Sequence, residues 1–190
     1  MVFKISYTNT IRVNNFNEYT KIRVINTEMK IVVLSDTHAN DLTDLHERIL
    51  EDLNSGDLII HAGDYTSISF LEQLMELGDF KGVHGNMDPE EIKAELPGEA
   101  ICEFEGFRIG VTHPSEGGSP LGLVERVKSK LGDDLDLIIY GHSHKPELKR
   151  KGGTIFFNPG SATGAFPAKY KTYGIITIAD KIEVGIVTLS

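Results

Sequence analysis

The chain has 190 residues, 40% of them hydrophobic and 25% charged, the profile of an ordinary globular protein with one sizeable core. Its 28 acidic against 19 basic residues give a formal charge of −9, which disfavours nucleic acid as a partner. No apolar run reaches the roughly 20 residues of a spanning helix, no signal-peptide order opens the chain, and the lone Cys102 excludes an intrachain disulfide, so no membrane partner and a cytoplasmic setting are expected.

Residues 1–28, rich in Asn and Thr and without helical periodicity, are expected to be a peripheral, non-catalytic extension. Within them Ile5–Tyr7 or Ile22–Ile25 can add an edge strand. The domain proper is expected over 29–190, where short apolar runs alternate with amphipathic stretches in an α/β pattern. Lys30–Leu34 predicts a buried strand that ends at Ser35-Asp36-Thr37-His38. A helix over Asp41–Asn54 follows, with Leu42, Leu45, Ile49 and Leu53 on its buried face and Asp41 and Asp44 at its cap. Leu58–His61 predicts the next strand, stopping at Gly63-Asp64, and Ser69–Leu77 a helix with Ser69 and Glu72 in capping-box spacing.

Phe80–His84 predicts a strand ending at Gly85-Asn86. Ala100–Phe104 and Phe107–Thr112 predict a hairpin that ends at His113. Ser119-Pro120 opens a helix with Leu121, Val124, Val127 and Leu131 on one face. The stretch just before it, Glu116–Ser119, reads either as a phosphate-facing loop or lid, or as a plain lead-in. Leu135–Tyr140 is an apolar strand running into Gly141-His142-Ser143-His144, and Lys149-Arg150-Lys151 before Gly152-Gly153 reads as a solvated hairpin turn. Thr154–Phe157 leads to Asn158-Pro159-Gly160-Ser161, and Tyr173–Ala179 with Ile182–Leu189 closes the chain as a hairpin.

The chemistry lies at the strand ends. Successive strands deliver Asp36 and His38, then Asp64, Asn86, His113, and finally His142 and His144. In such folds, loops at the carboxyl ends of strands meet on one rim, where ligands bind. Taken singly, each piece has an ordinary structural explanation: Asp-x-His caps turns, Asn86 tolerates a turn, and His113 before Pro114 suits a buried, hydrogen-bonded histidine. Taken in order, they form a set of oxygen and imidazole donors without thiolate. That set suits borderline divalent ions and is too large for one tetrahedral zinc. His61 reads as a supporting or core residue, His84 receives no role, and His46 reads as a surface or packing residue on the first helix.

Ser-Asp-Thr-His at 35–38, Gly-Asp at 63–64, Gly-Asn at 85–86, His113 and Gly-His-Ser-His at 141–144 resemble the calcineurin-like metallophosphoesterases in order and spacing. The small bacterial and archaeal phosphodiesterases of that superfamily are the subgroup most similar, and Asn158-Pro159-Gly160-Ser161 is similar to them too. The resemblance implies a four-layer αββα sandwich, two mixed β-sheets flanked by helices. It assigns one divalent ion to Asp36, His38, Asp64 and His144, and a second to Asp64, Asn86, His113 and His142, with Asp64 bridging. Manganese is the expected metal, with nickel, iron and zinc as alternatives. Asp64, Asn86 and His113 are the expected catalytic residues.

The implied activity is hydrolysis of a small phosphodiester by a hydroxide held between the ions, attacking in line and without a phosphoenzyme. Many members carry histidine directly after Gly-Asn, and here that position is Met87, which cannot protonate a leaving group. Pro114 and Ser115 likewise replace the glycine and histidine common in the subgroup. Two alternatives stand beside this reading. Residues 158–165 are also very similar to the retromer scaffold subunit, which works through protein contacts, and a phosphomonoesterase would use the same donors. No Lys and Arg cluster beside the motifs is evident to clamp a dianionic phosphate. Self-association into a homo-oligomer is compatible with the sequence.

Overall fold

A computed structural model describes residues 2–4, 28–114 and 121–190 of the chain. Its strands are, in chain order, β1 (Val2–Lys4), β2 (Met29–Leu34), β3 (Leu58–His61), β4 (Phe80–Gly82), β5 (Glu99–Phe104) and β6 (Phe107–Thr112). They continue as β7 (Leu137–Tyr140), β8 (Glu147–Lys151), β9 (Thr154–Asn158), β10 (Lys171–Ile178) and β11 (Ile182–Leu189). The helices among the described residues are α1 (Glu47–Ser55), α2 (Ile68–Glu76), α3 (Glu90–Glu95) and α4 (Leu123–Leu131).

Nearly continuous apolar runs such as Met29–Leu34 and Leu137–Tyr140 fit strands covered on both faces. Along β2 the alternation of a strand sends Ile31 and Val33 to one face and Val32 and Leu34 to the other, and all four are fully buried. One face meets Ile109, Val111, Leu137, Ile139 and Phe157 of a second sheet. The opposite face meets Ile49 and Leu53 of α1, Phe70, Leu71 and Leu74 of α2, and Ile92 of α3. Across the molecule, Ile138, Tyr140 and Phe156 of the second sheet are covered by Leu123, Val127 and Leu131 of α4. The layers are therefore helix, sheet, sheet, helix, as the sequence resemblance implied. Each such buried aliphatic side chain is worth about 2–5 kcal/mol against truncation to Ala.

Both sheets are mixed. One has the order β1-β5-β6-β7-β9-β8 and the other β11-β10-β2-β3-β4. Strands β2, β3 and β4 are parallel and in register, so Leu34 lies beside His61 and His61 beside Gly82. Strands β6, β7 and β9 are also parallel, with Thr112 beside Tyr140 and Ile139 beside Phe157. Six strand ends thus reach one rim abreast, three from each sheet.

Several local expectations are corrected. The helix over 41–54 is two pieces, a 3-10 turn at Leu42–Asp44 capped by Asp41 and then α1, because Leu45 is extended between them. His46 is the N-cap of α1, its Nδ1 accepting from the Arg48 N–H at 3.1 Å. Ser67, not Ser69, caps α2 by accepting from the Phe70 N–H. Helix α3 was not expected. Leu121 is 84% exposed, and α4 begins after Gly122, which sits at φ 70°. Lys149-Arg150-Lys151 ends strand β8, and the turn is Gly152-Gly153. The edge strand that is described is Val2–Lys4, parallel to β5. Ile5–Tyr7, Ile22–Ile25 and Glu116–Ser119 lie outside the described residues. No helix among those described is long and apolar enough to cross a membrane.

Candidate metal centre

The loops leaving β2 and β3 continue their pairing beyond the strands. The Asp36 N–H donates to the Gly63 carbonyl at 3.0 Å, and the His38 N–H to the Asp64 carbonyl at 3.1 Å. This zipper carries Asp36, His38 and Asp64 to one point. Asp36, His38, Asp64, His142 and His144 all have positive φ, between 45° and 82°. A left-handed backbone is costly for a side-chain-bearing residue, and such strain gathers where geometry serves a site. Two glycines make room for it. A Cβ on Gly85 would collide with Asp64 Oδ1, and one on Gly141 would strike Ser35 Oγ and come within 2.7 Å of His113 Nδ1.

All seven residues singled out in the sequence come together. Ligand atoms of Asp36, His38, Asp64 and His144 lie within 4.8 Å of one another. His144 Nε2 is 3.4 Å from Asp36 Oδ1, and His38 Nε2 is 3.8 Å from Asp64 Oδ2. His113 Nε2 approaches the same oxygen, at 3.4 Å from Asp64 Oδ2, and lies 4.0 Å from Asp36 Oδ1. Asn86 Oδ1 is 3.1 Å from His113 Nε2 and 2.9 Å from His142 Nδ1. Asp64 therefore turns one oxygen, Oδ2, to both His38 and His113, while its other oxygen Oδ1 accepts the Met87 N–H at 2.8 Å.

The imidazoles are oriented from behind. His113 Nδ1 is 2.7 Å from the Ala62 carbonyl, and His144 Nδ1 is 3.0 Å from the Ala165 carbonyl. A carbonyl only accepts, so each Nδ1 carries a proton and each ring turns its Nε2 toward a carboxylate. An imidazole Nε2 and a carboxylate oxygen meet favourably only with a cation or a proton between them. His38 Nε2 is buried and makes no hydrogen bond among the described residues. These three observations, with a donor set of oxygen and imidazole, fit divalent cations.

The electrostatics agree. Burial pushes the Asp36 carboxyl above its usual range and Asp64 adds to this, against partial relief from His113 and His144. Burial acts the same way on Asp64, but the His113 hydrogen bond, its charge, the Met87 N–H and His38 outweigh it and hold Asp64 below the usual value. Burial opposes a charge on His113, yet Asp64 and Asp36 overcome it and raise the ring to about 9. Without a metal, a proton takes the place of the cation.

A second ring of residues, mostly not evident from the sequence, holds these in place. Asp88 is buried and accepts four backbone N–H groups, from Tyr65 at 2.7 Å, Thr66 at 2.8 Å, Asp64 at 3.0 Å and Gly85 at 2.7 Å. It locks the Asp64 loop to the Asn86 loop. Asn158 donates to the Gly141 carbonyl at 3.1 Å and to Ser143 Oγ at 3.2 Å, fixing the His142–His144 loop. Ser161 Oγ donates to the Asp36 carbonyl at 2.7 Å. His61 is fully buried, accepts from the Gly63 N–H at Nδ1, and so donates from Nε2 to Thr37 Oγ1 at 3.0 Å. It supports the loop from outside the donor cluster. His84 only approaches the Gly85 carbonyl, at 3.4 Å. The signals for this ring were Asn158-Pro159-Gly160-Ser161 and the place of His61 in the apolar run before Asp64; Asp88 had none beyond its place after Gly85-Asn86.

The calcineurin-like phosphoesterase superfamily domain matches residues 29–181. The chain belongs to that superfamily. Among calcineurin-like relatives, a probable metallophosphoesterase of Methanothermobacter thermautotrophicus is 36% identical over 138 residues, covering 71% of this chain and 78% of its own. Vacuolar protein sorting-associated protein 29 of Schizosaccharomyces pombe is 32% identical over 146 residues, covering 72% of this chain and 74% of its own. The solved structure of an archaeal phosphodiesterase superposes with a TM-score of 0.68 at 25% identity, over 85% of this chain and all (100%) of that one. The matched span, residues 29–181, encloses every donor described above.

Proposed function

We propose that this chain is a divalent-metal-dependent phosphodiesterase that hydrolyses a small diester, with 29–190 as its catalytic domain and 1–28 as a peripheral extension. The observation that carries this reading is Asp64 Oδ2, which both donor groups approach, one made of His38 with Asp36 and His144 and the other of His113 with Asn86 and His142. A single carboxylate oxygen has more than one lone pair and suits a bridge between paired cations; a neutral imidazole nitrogen has one and does not. Asp36, His38, Asp64 and His144 would hold one ion, and Asp64, Asn86, His113 and His142 the other, with manganese the preferred metal. When bound, such ions lower the pKa of water and offset charge on phosphoryl oxygens.

The chain's own residues then divide the work. Asp64, Asn86 and His113 fix the reacting phosphorus relative to the donor cluster. The carbonyls of Ala62 and Ala165 keep His113 and His144 in the tautomer that leaves Nε2 available. Met87, 59% exposed and one residue past Asn86, offers no proton to a departing oxygen, which favours diesters with acidic leaving groups. The formal charge of −9 favours a small substrate over nucleic acid.

A second reading, a protein-interaction scaffold, draws support from the likeness to the fission-yeast sorting protein. Hydrolysis of bis(p-nitrophenyl) phosphate by manganese-loaded protein, with metal content measured alongside, separates the two. Turnover that disappears in Asp64→Ala is expected. Full metal occupancy without turnover on diesters or monoesters would favour the scaffold.

A further inference from the structure

Strand β8 carries different chemistry on its two faces and, among the described residues, pairs along one side only, with β9. Strand alternation sends Glu147, Lys149 and Lys151 toward α4. Glu147 accepts from the Tyr140 hydroxyl at 2.7 Å, and Lys151 reaches Glu125 of α4 at 2.7 Å. This face borders a cavity of about 580 Å³, shared with the start of α4, Tyr140 and Lys145. Leu148 and Arg150 point the opposite way. With Ile155 of β9 and Ile182 and Val184 of β11 they line a depression of about 330 Å³, in which Leu148 is 46% exposed. One edge strand thus has a hollow on each face, cationic toward α4 and largely apolar toward β11.

The charge of this edge opposes that of the whole. Residues 145–151 hold Lys145, Lys149, Arg150 and Lys151 against Glu147 alone, in a chain of formal charge −9. Lys149 pairs with Glu147 at 2.8 Å and Lys151 with Glu125, yet both lysine side chains stay more than half exposed. Exposed pairs of this kind hold weakly and exchange partners readily. Arg150 has no carboxylate within 4.0 Å among the described residues. A second copy of β8 laid alongside would set cation against cation, which is destabilising. An acidic strand would not. An extended peptide that adds to a sheet edge gains affinity from main-chain hydrogen bonds and specificity from pockets for its alternate side chains. Strand β8 offers both.

We propose that β8 is a docking edge for an extended acidic segment of a partner protein. The segment adds as a strand beside β8, its carboxylates facing Lys145, Lys149 and Lys151 and its alternate apolar side chains facing Leu148, Ile182 and Val184. Docking there depends on neither metal nor turnover.

The probe is a blocked synthetic peptide, Glu-Val-Glu-Val-Glu-Val-Glu, with Lys-Val-Lys-Val-Lys-Val-Lys as its charge-reversed control. By fluorescence anisotropy the full-length protein is expected to bind the acidic peptide at least about tenfold more tightly than the basic one, with affinity falling as salt rises. Manganese-loaded and EDTA-treated protein should bind it equally. Lys149→Glu/Lys151→Glu should reverse the charge preference while leaving manganese-dependent turnover unchanged. In NMR hydrogen exchange on EDTA-treated protein, alternate amides of β8 should exchange quickly alone and slow when the acidic peptide is added. N-methylation of alternate peptide amides along one edge should abolish binding, and along the other edge leave it. Equal affinity for the two peptides would overturn the proposal. So would binding that requires manganese, which would put the carboxylates at the metal centre. Amides of β8 already protected in the free protein, or a β8-paired dimer in sedimentation, would show the edge taken by this chain itself and overturn it too.

Discussion

His144 turns its Nε2 toward Asp36 Oδ1 at 3.4 Å because its Nδ1–H is committed to the Ala165 carbonyl at 3.0 Å. The contact is unfavourable as a pair of lone pairs and favourable around a cation, so occupancy should stabilise the fold. A ligand at about 100 times its dissociation constant adds about 2.7 kcal/mol. Manganese should therefore raise the thermal midpoint of EDTA-treated protein by several degrees, and His144→Ala should gain clearly less. Equal shifts in the two proteins would contradict this assignment.

The same logic sets a pH dependence. His113 is raised from 6.5 to about 9 in the folded, metal-free protein, burial being outweighed by Asp64 and Asp36. A raised folded-state value gives stability that is complete below the unfolded pKa and lost as pH climbs through the folded one. The thermal advantage of metal-free wild type over His113→Gln should be largest near pH 6 and fade between roughly 6.5 and 9. Metal uptake near neutrality should release a proton, seen as buffer-dependent binding heat. A pH-independent difference between the two proteins would refute the charge on His113.

Asp88 joins two loops through four backbone donors. Leaving buried N–H groups without an acceptor costs about 1–3 kcal/mol each, moderated where water enters. Asp88→Ala should lose about 3 kcal/mol in urea unfolding of the metal-free protein, with weaker metal retention, and Asp88→Asn an intermediate amount. Unchanged stability in Asp88→Ala would show that the loops hold without it.

Met87 bears on the leaving group. Rates across aryl and alkyl diesters should fall steeply as the leaving-group pKa rises, since no donor stands at 87. Met87→His should flatten that slope by improving the alkyl esters. The decisive quantity is the slope, and a wild-type protein already insensitive to leaving-group pKa would exclude this account.

The donors were readable because each follows an apolar run, and parallel strands in register carry such ends to one rim. Asp36, Asp64 and His142 needed no knowledge of which strands are neighbours. The helix over 41–54 was misread for a related reason. Leu42, Leu45, Ile49 and Leu53 keep helical spacing across a break, and only the extended backbone of Leu45 reveals two elements. Ser67 and Ser69 are both able to cap a helix, and the choice depends on where Asn40, which accepts from Ser67 Oγ, comes to lie. Asp88 was opaque because three of its four partners are backbone groups on a loop more than 20 residues away. The basic stretch at 149–151 was misplaced because a turn signal at Gly152-Gly153 does not say how far the preceding strand runs toward it.

Among the described residues strand β8 ends its sheet, pairing only with β9. A sheet edge of this kind offers N–H and C=O groups to a passing strand, the template from which molecules stack into aggregates. Lys149, Arg150 and Lys151 are the kind of residue that blocks such stacking through mutual repulsion between copies. Any drift of this strand toward neutral residues would thus carry a solubility penalty whatever the chain acts on, and engineering there is safer with exchanged charges than with removed ones.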